Sequence, residues 1–380
     1  MKYEEKFLIT ACRAYLNGET VKIHDGADLG FLLSLAAHHN LLGVLWCSLE
    51  KGFNERFEKA LKNSFIDYVF TAERQNLVLT ELEGIMEECS ARYLLFKGAV
   101  LRELYPVKES RAMGDIDLLI KKGDIKKAEA ALKAHGFECT APNGAVHDFQ
   151  KYDVLLEVHN TMLEDYGEKA FDTAFENAEF NGVKGVLEAD FHLAYLIAHM
   201  AHHIKYYGAG IRLVLDMAVL QKAFEINYDK VFAELEKLNL SAFGKNILTV
   251  CSRWFGVGTN FGGDTNKLEE YLVSSGVFGS LSDNKSAVLT RRELEEGKSV
   301  SPLMTRLRLA FPSYEKLRRL KYIGFIDKRP YLTPAAWVYR FVYTAKHRRS
   351  FTKKAISNLG DNNTLTEAEN QLKFFEEIGL

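Results

Sequence analysis

The chain has 380 residues, of which 47% are hydrophobic and 26% are charged, and its formal net charge is −2. This composition excludes general disorder and provides enough apolar residues for two or three compact units. The N-terminal MKYEEKFLIT carries charges where a signal peptide needs apolar residues, and no apolar run reaches 18 residues. We therefore expect no transmembrane segment and a cytoplasmic location. The five cysteines lack CxxC spacing, which argues against a disulfide framework.

Helical patterns dominate both ends of the chain. Apolar residues three and four positions apart predict an N-terminal helical region over residues 1–92 and a C-terminal helical domain over residues 186–380. Within the latter, the basic segment 301–354 holds 14 Lys and Arg against two acidic residues, a local charge of +12, with aromatic residues between the cations. A solvated helix face, binding of RNA or another polyanion, and contact with an anionic membrane surface all fit this segment.

Strand and helix patterns alternate over residues 93–185. Apolar runs at 93–96 and 116–120 predict buried strands, and residues 121–135 form an amphipathic helical pattern that ends before Gly136. Further strand patterns follow at 137–140, 146–152 and 153–159. The sequence therefore predicts an α+β fold, in which a small mixed-sheet core lies between two helical regions.

The clearest chemical signal is the run Gly114-Asp115-Ile116-Asp117 at the start of a predicted strand. Residues two apart on a strand project from the same face, so the two aspartates lie side by side while Ile116 points to the core. Adjacent carboxylates repel each other unless a cation lies between them. Because oxygen ligands suit hard divalent ions, the pair fits a site for a divalent cation such as Mg²⁺. Taken alone, the pair equally fits a solvated strand end.

Residues before and after the aspartates support this interpretation. Lys97-Gly98-Ala99 lies between a predicted strand and helix, where backbone N–H groups bind phosphate well. Glu157 lies on a later strand and offers a third carboxylate on one face. Arg111 stands four residues before Asp115, within reach of a phosphate or an aspartate.

These motifs resemble a known family. The stretch LLFKGAVLRELYPVKESRAMGDIDLLI is similar to the core of the nucleotidyltransferase superfamily of the DNA polymerase β type, and specifically to the branch called uncharacterised nucleotidyltransferases. EVH at 157–159, LIAHMAHHIKYYGAGIRLVLDMAVL, FPSYEKLRRLKY and RPYLTPAAWVYRF also resemble that branch. The resemblance extends, with gaps, from about residue 90 to 345, and it implies a polymerase β-like core.

The resemblance also implies roles for single residues. Asp115 and Asp117 correspond to the metal-binding aspartates of the superfamily, and Glu157 to its third acidic position. The glycine-rich turn, normally Gly-Ser or Gly-Gly, corresponds to Gly98-Ala99, where Ala99 lacks a hydroxyl that often contacts the triphosphate. Lys97 and Arg111 would neutralise phosphate charge in this scheme.

The implied reaction is attack by an acceptor hydroxyl on the α-phosphate of an NTP, with Mg²⁺ or Mn²⁺ as cofactor and pyrophosphate as product. The acceptor stays open: a small molecule, RNA or a protein hydroxyl suits the same chemistry. A non-catalytic nucleotide- or polyanion-binding module with the same fold is the alternative hypothesis. Three mutually repelling carboxylates favour the enzyme.

Other polar residues have more than one interpretation. His199 and His203 are four residues apart on one helix face, which suits helix packing, contact with nucleotide or acceptor, or a zinc site. The same alternatives apply to the neighbouring His202. Arg212 and Asp216 are also four apart and predict an ion pair of structural or active-site function. His159 either orients a carboxylate or the acceptor, or is a strand-end histidine without a role in the site.

Overall fold

The computed structural model describes residues 1–141, 146–163, 170–276, 291, 310–318, 320, 323–326, 329–347 and 362–380. These residues fall into two compact units. The larger unit comprises the described residues within Met1–Thr140, Ala145–Ser280 and Ile378–Leu380, and the smaller one comprises those within Leu281–Glu377 together with Ala141.

Helices of the larger unit precede, interrupt and follow a β-sheet. They are α1 (Tyr3–Asn17), α2 (Leu29–His38), α3 (Leu42–Ser48), α4 (Glu55–Glu88), α5 (Gly98–Leu101), α6 (Ile125–Ala134), α7 (Ala189–Tyr206), α8 (Ile211–Ala223), α9 (Tyr228–Glu236), α10 (Ser241–Phe255) and α11 (Asn266–Ser275). Side chains cap three of them: Asp28 accepts a hydrogen bond from the Phe31 N–H before α2, Asn54 accepts one from the Phe57 N–H before α4, and Asn227 accepts from the Asp229 and Lys230 N–H groups before α9.

Seven strands form one mixed sheet. They are β1 (Tyr93–Leu95), β2 (Asp115–Ile120), β3 (Glu138–Ala141), β4 (Val146–Lys151), β5 (Val154–His159), β6 (Ala178–Asn181) and β7 (Lys184–Leu187). Their order across the sheet is β3-β4-β5-β2-β1-β7-β6. The pairs β2–β5 and β1–β7 are parallel, whereas β1–β2, β4–β5 and β6–β7 are antiparallel. The predicted α+β class is confirmed.

One face of the sheet packs into the main core of the α/β region. Alternate strand residues such as Ile116, Leu118 and Leu156 are buried there beside Leu82 of α4 and Leu132 of α6. Because side chains alternate along a strand, the residues between them project to the opposite face. That second face carries Asp115, Asp117 and Glu157.

The hairpin of β6 and β7 adds two strands that the sequence patterns did not predict. It pairs through β7 with the edge of β1, where Leu94 lies opposite Gly185. A Cβ at Gly185 would lie 2.4 Å from Leu94 Cδ2, so this close approach requires glycine.

The smaller unit contains α12 (Tyr314–Arg318), α13 (Thr333–His347) and all but the last residue of α14 (Asn362–Ile378). Leu317, Ile323, Ile326 and Ala336 form a small buried cluster within it. Residues 301–309, 348–354 and several between them lie outside the described residues, so the polyanion interpretation of segment 301–354 stays a prediction. Among the described helices, none combines the length and hydropathy needed to cross a bilayer.

Candidate active site

The parallel pairing of β2 with β5 positions the acidic residues. Asp117 lies directly opposite Glu157, and Asp115 opposite Leu155. Directly paired residues project to the same face, so Glu157 stands beside the two aspartates of β2. Three carboxylates that are up to 42 positions apart in sequence therefore share one sheet face, as the alternation in both strands predicted.

Asp117 lies at the centre of this group and is 2% exposed. Its Oδ1 accepts hydrogen bonds from Lys97 Nζ at 2.6 Å and from His159 Nε2 at 3.0 Å. Burial by itself raises the pKa of Asp117, but the Lys97 ammonium and the His159 imidazole outweigh it and lower the pKa to about 2. Asp117 is therefore a carboxylate at neutral pH.

Asp115 is electrostatically different from Asp117. Burial raises its pKa to about 6, and the nearby charges of Asp117 and Glu157 act in the same direction. A bound cation would reverse this repulsion, because it favours the charged form of the carboxyl group. In the metal-free protein, Asp117 is therefore ionised at neutral pH, whereas Asp115 is easily protonated.

Glu157 and His159 complete the cluster. Glu157 Oε2 lies 3.4 Å from His159 Nε2, and one ligand atom from each of Asp117, Glu157 and His159 falls within 4.8 Å of the others. The His159 ring meets the edge of Phe96 with 5.2 Å between ring centroids, which fixes its orientation. These three residues can hold a metal ion.

The turn Lys97-Gly98-Ala99 follows β1 at the end of the sheet where β2 begins. Lys97 has φ 49° and ψ −123°, a strained backbone conformation for a residue with a side chain. A Cβ at Gly98 would lie 2.8 Å from Met113 and 2.9 Å from Arg111 Nη1, which explains the glycine. The helix that follows, α5, has only four residues, so its dipole is short.

Arg111 is buried in an ion pair with Asp216 of α8. Its Nε and Nη2 donate to Asp216 Oδ1 and Oδ2 at 2.7 and 2.8 Å, and the Tyr105 hydroxyl donates to Oδ1 at 2.7 Å. Its Nη1 has no hydrogen-bond partner among the described residues and faces Gly98. Arg111 therefore pairs with an aspartate, but with Asp216 and not with Asp115.

The predicted ion pair between Arg212 and Asp216 is wrong. Arg212 Nη1 instead donates to the Ala112 carbonyl at 3.3 Å. Residues four apart on α8 are neighbours, but Arg111 reaches Asp216 with two parallel hydrogen bonds, a geometry that an exposed helical pair cannot match.

His199 and His203 lie near the same face of the sheet. Their Nε2 atoms are 3.2 Å apart, and His199 stacks on Tyr195, whose ring meets Phe96. Burial lowers the pKa of both histidines, and neighbouring histidines and the Lys97 charge act in the same direction; the pKa of His203 falls to about 4. Within the described part of the chain, the residues grouped as a possible metal site do not include this pair.

Sequence reasoning missed Phe96, Tyr105 and Tyr195. All three are buried and contact a candidate site residue. Aromatic residues in apolar runs normally indicate core packing, so the residue types gave no signal. Only long-range contacts reveal that they position polar groups.

A cavity of about 300 Å³ opens at the opposite ends of β2 and β5 from the glycine turn. Its lining includes Leu119, Lys121, Asn160, Thr161, Met162 and Phe171. Leu119 follows Asp117 by two residues on the same strand face. The carboxylates therefore lie between the turn and this cavity.

Comparison with known proteins identifies the family. A model of the family described as uncharacterised nucleotidyltransferase matches residues 25–256, which is more than half of the chain. The chain belongs to this family. The match confirms the resemblance, and it covers α2 to α4 as well as the sheet; the segments FPSYEKLRRLKY and RPYLTPAAWVYRF lie beyond the matched residues.

No curated protein matches the chain. One solved structure with similarity to part of it is the solution structure of the antibiotic-resistance factor ANT(2'')-Ia, at 11% sequence identity and a TM-score of 0.33. That similarity covers 43% of this chain and 89% of the other.

Proposed function

We propose that this family member is a metal-dependent nucleotidyltransferase, which transfers NMP from an NTP to an acceptor hydroxyl and releases pyrophosphate. The pairing of Asp117 with Glu157 carries the proposal, because it sets a third carboxylate beside the two aspartates of β2. Folding gives no reason to gather these charges, since Asp117 and Glu157 both act to raise the pKa of Asp115.

The residues on this face fit a divalent cation. Their donor atoms are carboxylate oxygens, which suit Mg²⁺ and Mn²⁺. The Lys97 ammonium already lies 2.6 Å from Asp117 Oδ1, so a positive charge stands in the cluster in the free protein. We assign Asp115, Asp117 and Glu157 to the metal ions, which when bound would neutralise the triphosphate and lower the pKa of the attacking hydroxyl.

The glycine turn supplies the nucleotide side of the site. The backbone of Gly98 and Ala99 offers N–H donors, and Lys97 offers an ammonium that can exchange Asp117 for a phosphate. Arg111 Nη1 faces Gly98 and keeps one free donor among the described residues, while Asp216 fixes the rest of the guanidinium. A triphosphate at this turn would meet two cations, as required for a leaving pyrophosphate.

The acceptor would approach from the other side. In-line displacement requires the attacking oxygen and the leaving pyrophosphate to lie on opposite sides of the α-phosphate. The cavity lined by Leu119, Asn160 and Thr161 lies across the carboxylates from the glycine turn, so we assign the acceptor to it. Its volume of about 300 Å³ is at the lower end for ligand pockets and accommodates a small molecule or one terminal residue of a polymer.

Transfer of label from each α-³²P-labelled NTP tests the proposal. The protein is incubated with Mg²⁺ or Mn²⁺ and with candidate small molecules, RNA and protein, and pyrophosphate release is followed in parallel. We expect metal-dependent transfer that Asp117→Asn lowers by about 100-fold or more, because the central carboxylate is lost. The matched control, Asp229→Asn on the exposed surface of α9, should retain the wild-type rate.

Equal transfer by Asp117→Asn and the wild type would contradict this mechanism. Thermal stabilisation by NTP that is independent of metal and accompanied by no transfer would instead support the non-catalytic binding module.

A further inference from the structure

His159 occupies an unusual position for a histidine beside a cluster of carboxylates. Leu119 and His159 are paired in β2 and β5, so the His159 side chain projects to the same face as Asp117 and Glu157. It is 6% exposed, and its Nε2 lies 3.0 Å from Asp117 Oδ1 and 3.4 Å from Glu157 Oε2. A single ring nitrogen therefore points at both carboxylates.

We infer that Asp117, Glu157 and His159 form a mixed oxygen and nitrogen site that selects Mn²⁺ over Mg²⁺. This inference rests on the proposed function and deepens it, since it adds His159 to the metal ligands and names the cofactor. Mg²⁺ takes oxygen ligands in a strict octahedron, whereas imidazole nitrogen suits transition-metal ions. Mn²⁺ accepts the imidazole together with carboxylate and phosphate oxygens.

Two further observations support this site. The Lys97 ammonium lies 2.6 Å from the same Asp117 oxygen that His159 contacts, and its side chain is 19% exposed. The Phe96 ring holds the imidazole from the side, so the ring does not need to reorient to present Nε2. The Lys97 ammonium thus supplies a positive charge in the free protein, and the His159 imidazole is already oriented as a nitrogen ligand.

Binding of the metal alone, in the absence of NTP, tests the inference. Mn²⁺ affinity is measured at pH 8 by electron paramagnetic resonance, and Mg²⁺ affinity by competition with Mn²⁺. We expect wild-type protein to bind Mn²⁺ more tightly than Mg²⁺ by about tenfold or more. In His159→Gln the amide reaches about as far as Nε2 and keeps a donor for Asp117 but offers the metal an oxygen, so the Mn²⁺ preference should disappear while Mg²⁺ binding persists.

Two other variants serve as references. His147→Asn changes a histidine of β4 that pairs with Glu129 and lies opposite Val158, on the other sheet face, so the preference should stay at the wild-type value. Lys97→Met removes a charge that repels every divalent ion, so both affinities should rise and their ratio should not change.

Pulsed electron paramagnetic resonance gives a readout that does not need a folded variant. Coupling of a ¹⁴N nucleus to Mn²⁺ in wild-type protein supports the imidazole ligand. Absence of that coupling, or an unchanged preference in His159→Gln, overturns the inference, even where Asp117-dependent transfer upholds the proposed function. Nitrogen-coupled Mn²⁺ in a protein without transfer supports the site and contradicts the proposed function alone.

Discussion

Asp115 and Asp117 stand two residues apart on the same face of β2, but their carboxyl groups have different neighbours. Asp117 receives hydrogen bonds from Lys97 and His159, which keep its pKa near 2 despite burial. Burial raises the pKa of Asp115 to about 6, and the surrounding carboxylates contribute in the same direction. Ionised Asp115 therefore destabilises the metal-free fold.

Asp115→Asn should stabilise the metal-free protein at pH 8. The unfolded pKa of aspartate lies near 3.8 and the folded value near 6, so ionisation of Asp115 costs stability progressively as the pH rises from about 4 through 6. The variant lacks this cost. We expect it to be about 2 kcal/mol more stable than wild type at pH 8 and equally stable at pH 4, by urea denaturation in EDTA.

The control for removing one negative charge is Asp229→Asn, which lies on the exposed surface of α9. A stability gain in Asp115→Asn of the same size at pH 4 and pH 8 would contradict the electrostatic origin. Because Asp115 is a proposed metal ligand, the stabilised variant should also lose nucleotidyl transfer, a known conflict between stability and function.

The sequence predicted which residues of a single strand share one face. It did not predict which residues of other elements form ion pairs and hydrogen bonds with the site residues. Strand alternation places Asp115 with Asp117 without any knowledge of the fold. The partner of Asp216 could not be found in this way. Helical spacing favoured Arg212, whereas the actual partner, Arg111, is 105 residues away in sequence.

A buried ion pair links the segment before β2 to helix α8. Arg111 and Asp216 are both buried, and Tyr105 adds a third group to their hydrogen-bonded network. Burial by itself raises the pKa of Asp216, but the Arg111 guanidinium outweighs it and lowers the pKa. This pair holds Arg111 Nη1 at the glycine turn, so α8 contributes through Arg111 to the proposed nucleotide side of the site.

Asp216→Asn should therefore destabilise the protein strongly. It leaves the Arg111 charge buried without a counter-ion, which typically costs about 3–5 kcal/mol in the free energy of unfolding. Chemical denaturation measures this loss. The double variant Arg111→Met with Asp216→Leu removes both charges and should recover most of the stability. A single variant as stable as wild type would show that the pair contributes nothing to the fold.

Several elements of the sheet could be predicted, but the hairpin of β6 and β7 was missed. Its strands have four residues each and carry Glu179 and Lys184 between apolar positions, so hydrophobic periodicity is weak. A local signal was present at Gly182, the first of the two turn residues between Asn181 and Lys184, because glycine at this position is typical of two-residue hairpin turns; Gly182 indeed has φ 62°. The residue type in the turn therefore indicates this hairpin, whereas hydrophobic periodicity does not.

Sequence patterns do not predict the order of the strands across the sheet. β2 pairs in parallel with β5, although α6, β3 and β4 intervene along the chain. That long-range pairing brings Glu157 to Asp117. The sequence predicted Glu157 as a third carboxylate from a neighbouring strand, but it did not give the strand order and register that set Glu157 opposite Asp117. The catalytic role of these residues stays a prediction.

Buried histidines link the stability of the whole larger unit to pH. Burial lowers the pKa of His39, His192 and His203 to about 4 in each case, against about 6.5 in an unfolded chain. These groups bind protons more readily when the chain is unfolded. Their contribution to stability is therefore complete above pH 6.5 and is lost as the pH falls from 6.5 to about 4.

His192→Gln tests this dependence at a residue of α7 that is 2% exposed. One such histidine accounts for about 3 kcal/mol of the stability lost between pH 6.5 and 4, because its pKa differs by about 2.5 between the two states. We expect the variant to lose about 3 kcal/mol less than wild type over that range in urea denaturation, whatever its stability at pH 7.5. Replacement of the exposed His24 by Gln is the control and should leave the pH dependence unchanged. Parallel curves for wild type and His192→Gln would mean that His192 is already protonated in the folded protein. Its burial opposes this protonation and outweighs the nearby Asp216 charge, which favours it.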